Sequence, residues 1–194
     1  TRGEVLRHAL FYALMPAMMA TPFIFTGIFI NQVTIVALKG WQLSWFAASF
    51  PLLAGVNVLA ALGAGWLVDK VGARHLLPLF LLPLGISCII LTYAQSGYWL
   101  PVFMAVAGLT LGIGSTMSGA LWPELYGTEH LGAIRAVATA VMVFATALSP
   151  GLIGVLLDAG VSMETMLLVM AGYCAAASLW TAALMPKLNR LVET

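Results

Sequence analysis

The residues able to do chemistry in this chain are few, and they crowd into short stretches. The fullest is Gly65-Trp66-Leu67-Val68-Asp69-Lys70-Val71-Gly72-Ala73-Arg74-His75, a charged hinge between two long apolar runs. A second, Pro123-Glu124-Leu125-Tyr126-Gly127-Thr128-Glu129-His130, is followed by Arg135. Carboxylates and guanidinium groups in such hinges can form ion pairs, worth about 0–1 kcal/mol each where water reaches them. Inside the apolar runs the chemistry is limited to amides and hydroxyls, of which Thr26, Asn31, Gln32, Asn57 and Thr116 stand out. A buried amide needs a hydrogen-bond partner or a ligand. Asn57 therefore reads equally as an interhelical hydrogen bond or as a solute contact, while Asn31 and Gln32 read as either interfacial or solute-facing. His8, His75 and His130 all lie at the edges of apolar runs. A nucleophile such as Ser115 or Ser118 thus has no base beside it, and covalent catalysis is not expected.

The elements that must position these residues follow from composition. The chain is 62% hydrophobic and 8% charged, with a net charge of +1. Soluble domains carry roughly a quarter charged residues, so the solvent for this surface is lipid. With no basic patch, nucleic acid is not a partner. Cys88 and Cys174 sit inside apolar runs as packing residues, no metal-ligand spacing is present, and no cofactor is called for. The start, Thr1-Arg2-Gly3-Glu4, lacks an initiator Met and reads as the continuation of a longer chain.

A membrane crossing takes about 20 apolar residues, and charges mark its ends. Reading between charges predicts six spans, at about residues 6–31, 43–68, 76–94, 98–122, 133–157 and 163–185. The run Leu76–Pro123 is divided by the turn signal Gln95-Ser96-Gly97-Tyr98. Six crossings put Arg2, Arg7, Lys70, Arg74, Arg135, Lys187 and Arg190 on one side and Lys39 on the other. By the positive-inside bias, both termini are expected in the cytoplasm. Thr34–Gln42 reads as the first outer loop and Pro123–Ile134 as an inner loop.

The spans differ in texture. The first, second, fourth and fifth carry Pro16, Pro22, Pro51, Pro150 and many glycines, and are expected to be kinked and to border a cavity. The third and sixth are mainly apolar and are expected at the periphery, the third facing lipid over most of its surface. A faint repeat links Gly65-x-Leu67-x-Asp69 with Gly154-x-Leu156-x-Asp158, whose spans exit on opposite faces. That suits two inverted three-helix units.

The pattern G-x-L-x-D-[K/R]-x-G-x-R over Gly65–Arg74 resembles the inner-loop signature of the major facilitator superfamily, the twelve-helix secondary transporters. Ala73 and His75 depart from its strongest form, which suits the second, weaker copy. With PELYGTEHLGAIR and TRGEVLRHALFY, residues 1–194 are similar to the carboxy-terminal six-helix half of such a transporter, the amino-terminal half being absent. The resemblance implies an all-α membrane protein that moves a small solute by alternating access in a bacterial inner membrane, as symporter or antiporter. Its partners would be the lipid bilayer, the other half and the solute. It implies that Asp69 caps a helix of the other half when the inner side is closed. Gly65 and Gly72 would shape the loop, Arg74 would brace it, Glu124 would pair with Arg74, and Arg135 would complete a charge relay. The first outer loop resembles the monocarboxylate and oxalate/formate branch, which implies an organic anion. The second span, however, lacks the embedded Arg typical there. The alternative is a six-helix pore or scaffold acting as a homodimer. Gly114-Ser115 and Ser118-Gly119 resemble rhomboid proteases only superficially, since the base is missing.

Overall fold

The computed structural model describes residues 8–193, and every regular element among them is helical. Leu6 and Arg7, at the start of the first expected span, and the basic Arg2 lie outside the described residues. The helices are α1 (Ala9–Ile30), α2 (Gln32–Leu38), α3 (Leu43–Ala48), α4 (Phe50–Val71), α5 (Leu82–Tyr93), α6 (Leu100–Tyr126), α7 (Leu131–Asp158) and α8 (Met163–Glu193). Short 3-10 turns occupy Ala73–Leu76 and Gly97–Trp99. Among the described residues five segments are long and apolar enough to cross a membrane: α1, Leu43–Val71, Gly97–Tyr126, α7 and Met163–Val192 of α8.

The third expected span is regular helix only over 12 residues, Leu82–Tyr93. Pro78 and Pro83 explain this, because each removes an N–H donor and sets its ring against the preceding turn. Residues 77–81 instead pass through turns, with the amides of Leu79 and Phe80 both donating to the Leu76 carbonyl at 3.0 Å. The Leu77 carbonyl accepts the Thr181 hydroxyl of α8 at 3.2 Å. The stretch still runs the length of the bundle. Arg74 at its start meets Glu124 and Asn189, and Thr92 and Ala94 at its far end meet Lys39.

Other boundaries shift for local reasons. The expected outer loop begins as α2, set off from α1 at Asn31, whose amide donates to the Gly27 carbonyl at 2.9 Å. Pro51 lies in the first turn of α4, and the chain breaks at Ser49 between α3 and α4 rather than kinking within one helix. The expected inner loop contracts, since α6 persists through Pro123 and Glu124 to Tyr126 and α7 starts at Leu131. α8 runs past the expected end of the sixth span, near residue 185, to Glu193.

Packing is pairwise. α4 lies along α6, α1 along α7 and α5 against α8, while α5 also meets α6 and α1 meets α8. Helices in lipid gain little from apolar burial and depend on close backbone approach. On α6, Gly108 and Gly112 supply it: a Cβ on Gly108 would come 2.7 Å from the Leu53 carbonyl oxygen, and one on Gly112 would strike the Asn57 carbonyl and lie 2.7 Å from Ala60 Cβ. The Thr116 hydroxyl then donates to the Ala61 carbonyl at 3.2 Å. Gly27 plays this part for α1 under Ser149 and Ile153, and Gly85 seats α5 on Ala171 and Cys174.

That seating corrects one expectation. α5 buries Leu84, Ser87, Cys88 and Leu91 rather than facing outward over most of its surface. The open helices are those of the second and fifth spans: only 6% of the most apolar stretch of Leu43–Val71 and 17% of that of α7 is buried, against 50% for α1.

Replacing Gly112 by Ala is expected to lower stability by about 1–3 kcal/mol through overpacking. Gly63→Ala, where an added Cβ meets nothing within 4 Å, is expected to be neutral or stabilising. Thermal denaturation of both variants in detergent checks this; equal behaviour would remove the close-approach account.

Candidate functional site

At one end of the bundle a single carboxylate organises the hinge. Gly72 has φ +87°, a left-handed conformation that glycine adopts without strain, and a Cβ there would come 2.7 Å from Glu124 Oε1. The turn so formed aims the next two amides at Glu124. Ala73 N–H donates to Oε2 at 2.5 Å, and Arg74 N–H to the same oxygen at 3.4 Å. The carboxylate thus caps the 3-10 turn at its amino end, where unpaired N–H groups favour an anion. The Arg74 guanidinium closes the arrangement, donating from Nη1 to Oε1 at 2.6 Å and from Nε to Asn189 Oδ1 at 2.8 Å. The two charged side chains are 19% and 17% exposed, so this charge-assisted contact is sheltered from screening. At the same end His8 Nδ1 and the Tyr126 hydroxyl are 3.1 Å apart.

The other expected hinge residues stand apart from this cluster. Asp69, one turn before Gly72, is exposed and has no hydrogen bond or ion pair among the described residues. Beside it the Lys70 ammonium sits 3.9 Å above the Trp66 ring. Arg135 does not extend a charge relay to Glu124. It is exposed on α7, and its Nη2 donates to the Gly119 carbonyl of α6. An added Cβ on Gly65 would find only the Thr116 methyl, at 3.9 Å, so close packing does not demand glycine there. Asn189, carried near the end of α8, was not among the anticipated residues.

At mid-depth a pocket of about 290 Å³ opens between α1, α6 and α7, floored by Phe80. Thr21, Thr110, Ser115 and Ser118 are among the residues around it, with Phe25 and Met142 among its apolar walls. Thr110 is fully buried. The hydroxyls of Thr21 and Thr110 are buried and have no hydrogen-bond partner among the described residues. None of the five candidate solute contacts lines this pocket. Asn31 is bonded to its own helix, Thr116 to the Ala61 carbonyl, and Thr26, Gln32 and Asn57 make no side-chain hydrogen bond among the described residues. The available signal was the i, i+4, i+8 spacing of Thr110, Gly114 and Ser118, which sets small and polar groups on one helix face.

At the opposite end, Lys39 Nζ donates to the carbonyls of Thr92 and Ala94 at 3.0 and 3.4 Å and lies 3.8 Å from the Glu164 carboxylate. It thereby ties the stretch after α2 to the end of α5 and the start of α8.

The family model described as Major Facilitator Superfamily matches residues 9–192, nearly the whole chain. The chain belongs to the major facilitator superfamily. No curated protein matches it. Membership in this superfamily implies an integral membrane protein that transports a small solute across the bilayer, and not an enzyme. The Gly72–Glu124 cap fixes the hinge between the apolar helix α4 and the stretch that follows it.

Removing Glu124 leaves a guanidinium and two amides without their acceptor. Glu124→Ala is expected to cost about 2 kcal/mol. A double-mutant cycle with Arg74→Ala should give a coupling of about 1–2 kcal/mol. Additive effects in denaturation of the purified protein would contradict the sheltered contact.

Proposed function

We propose that this chain is one half of a secondary transporter, a six-crossing bundle that rocks against a companion bundle around a solute held near the midplane. The observation that carries this reading is the pairing of its elements. Exchange α1 with α6, α4 with α7, and the 73–94 stretch with α8. The α1–α7 pair then becomes α6–α4, α1–α8 becomes α6–α5, and α5–α8 maps onto itself. Such self-mapping supports two inverted three-helix repeats, with the proline-interrupted stretch serving as the sixth crossing. It also leaves α4 and α7 open. Leu59, Leu62 and Trp66 on one, and Val143, Phe144 and Val155 on the other, are exposed apolar groups at the sides of the bundle. A companion half would cover them.

Orientation follows from charge. Lys70, Arg74, Arg135, Lys187 and Arg190 fall in the segments at the Glu124 end, and Lys39 at the other. The Glu124 end is therefore read as cytoplasmic, with both termini on that side, in the plasma membrane of a bacterium. The weaker form of the hinge signature supports the carboxy-terminal position. Asp69 is read as the gate. An exposed carboxylate at the inner end of α4, with no partner among the described residues, is disposed to cap a helix amino terminus of the companion. Proton coupling, in symport or antiport, would draw its titrating group from that companion. Middle turns of α1, α4, α6 and α7 hold no Asp, Glu or His.

In proteoliposomes containing the whole transporter, screened against organic acids, sugars and drugs, Asp69→Asn is expected to slow uptake about tenfold while thermal stability changes by less than about 0.5 kcal/mol. Wild-type uptake in that variant would eliminate the gate. In intact cells, cysteines placed at Lys70 and Lys187 should both resist a membrane-impermeant thiol reagent, whereas one at Gly40 should react. Any other pattern would overturn the orientation.

A further inference from the structure

We propose that Arg135 is a positioning residue that stands in for a missing backbone amide. It donates to the carbonyl that Pro123 leaves free in α6, and so ties the end of α6 that carries Glu124 to α7. The inference goes beyond the transport reading and does not depend on it.

Three observations carry it. The first is arithmetic along α6. Pro123 lies inside that helix, which continues to Tyr126. A proline has no N–H for the carbonyl four residues back, and its ring crowds that carbonyl. Here the carbonyl belongs to Gly119. Where lipid supplies no donor, a freed helix carbonyl is satisfied by a neighbouring element.

The second observation is the donor. Arg135 Nη2, reaching across from α7, donates to the Gly119 carbonyl. A Cβ built on Gly119 would lie 4.0 Å from the same nitrogen, so the guanidinium is seated on this turn of α6. The positive-inside bias alone accounts for an arginine at this end of α7, but it asks only that the head reach water or lipid headgroups. This head turns back onto a helix carbonyl instead.

The third is electrostatic. Arg135 sits in the second turn of α7, near the amino-terminal end, where a cation gains nothing from its own helix. The carbonyl-rich end of α6 does favour a cation. Glu124 is already engaged by the Ala73 amide and the Arg74 guanidinium, and Arg135 forms no ion pair among the described residues. The expected charge relay is thus replaced by a contact with the backbone. The end of α6 is held from two sides, by Arg74 through the Glu124 carboxylate and by Arg135 through the Gly119 carbonyl.

Giving α6 back its amide tests the assignment. In the full chain in detergent, Arg135→Met keeps the length of the side chain and removes the donor. It is expected to lower the apparent unfolding midpoint by about 2–4 °C, the shift one hydrogen bond supplies in a chain of this size. In a Pro123→Ala background residue 123 can itself donate to Gly119, and the same substitution is expected to shift the midpoint by less than about 1 °C. A residue acting only through its bulk or its charge would not respond to Pro123. The Arg135→Met and Glu124→Ala shifts are expected to add, because the two contacts use different acceptors. An equal loss in both backgrounds, no loss in either, or coupling of Arg135→Met to Glu124→Ala in place of Pro123→Ala would each overturn the proposal. Should Pro123→Ala fail to fold, Arg135→Lys decides: it keeps a donor and is expected to lose less than Arg135→Met, and an equal loss would overturn the assignment.

Discussion

Lipid offers a backbone no hydrogen-bond partner, so wherever this chain leaves regular helix or carries proline, another segment must repair the loss. Several such contacts reach the backbone from neighbouring helices. Near the prolines of α1, three side chains from α7 and α8 donate to its carbonyls: Trp180 Nε1 to Ala13 at 2.8 Å, the Tyr173 hydroxyl to Pro16 at 2.8 Å and the Ser149 hydroxyl to Phe23 at 2.6 Å. Thr181 serves the Leu77 carbonyl in the proline-interrupted stretch, and Lys39 serves the last carbonyls of α5. At the other end the missing partners are amides, and Glu124 accepts from them. The side chains that satisfy the backbone are thus the ones that decide which helices pack together.

One consequence is that the α5–α8 pair is clamped at both ends. Arg74 reaches Asn189 on α8, while Lys39 joins Thr92 and Ala94 to Glu164 at the start of α8. Between the clamps, Gly85 lets the two helices touch. The Gly27 and Gly112 contacts hold the α1–α7 and α4–α6 pairs in the same close manner. Packed surfaces of this kind resist continuous deformation.

How much of this was legible in the sequence depended on whether a residue type has one physical outcome or several. Charge in a membrane protein has few, so the hinge around Asp69, the Arg74–Glu124 neighbourhood and the superfamily could be read directly. Hydropathy is blind to backbone geometry, and the run after Leu76 is as apolar in its turns as in its helix. Only Pro78 and Pro83 hinted at the difference. Proline itself had several outcomes: Pro16 and Pro22 stay within α1, whereas Pro51 starts a helix after a break. Threonine was the most ambiguous. Thr116 and Thr110 lie on the same helix, yet one bonds a neighbouring backbone and the other is buried with no hydrogen-bond partner among the described residues.

α6 joins the two functional regions. Its middle turns carry Thr110 and Ser118 into the pocket, and Glu124 lies six residues further on, roughly 9 Å along the axis at 1.5 Å per residue. Gly108 and Gly112 seat the opposite face of the same helix on α4, whose end is the hinge that Glu124 caps. A rotation of α6 large enough to reshape the pocket would therefore strain either the glycine contact or the cap, and both sit where a methyl group's displacement is felt. α1 and α7, which contribute the pocket's remaining wall, are held to each other at Gly27, and α7 meets α6 where Arg135 donates to the Gly119 carbonyl. Pocket and hinge are thus joined through one helix, α6.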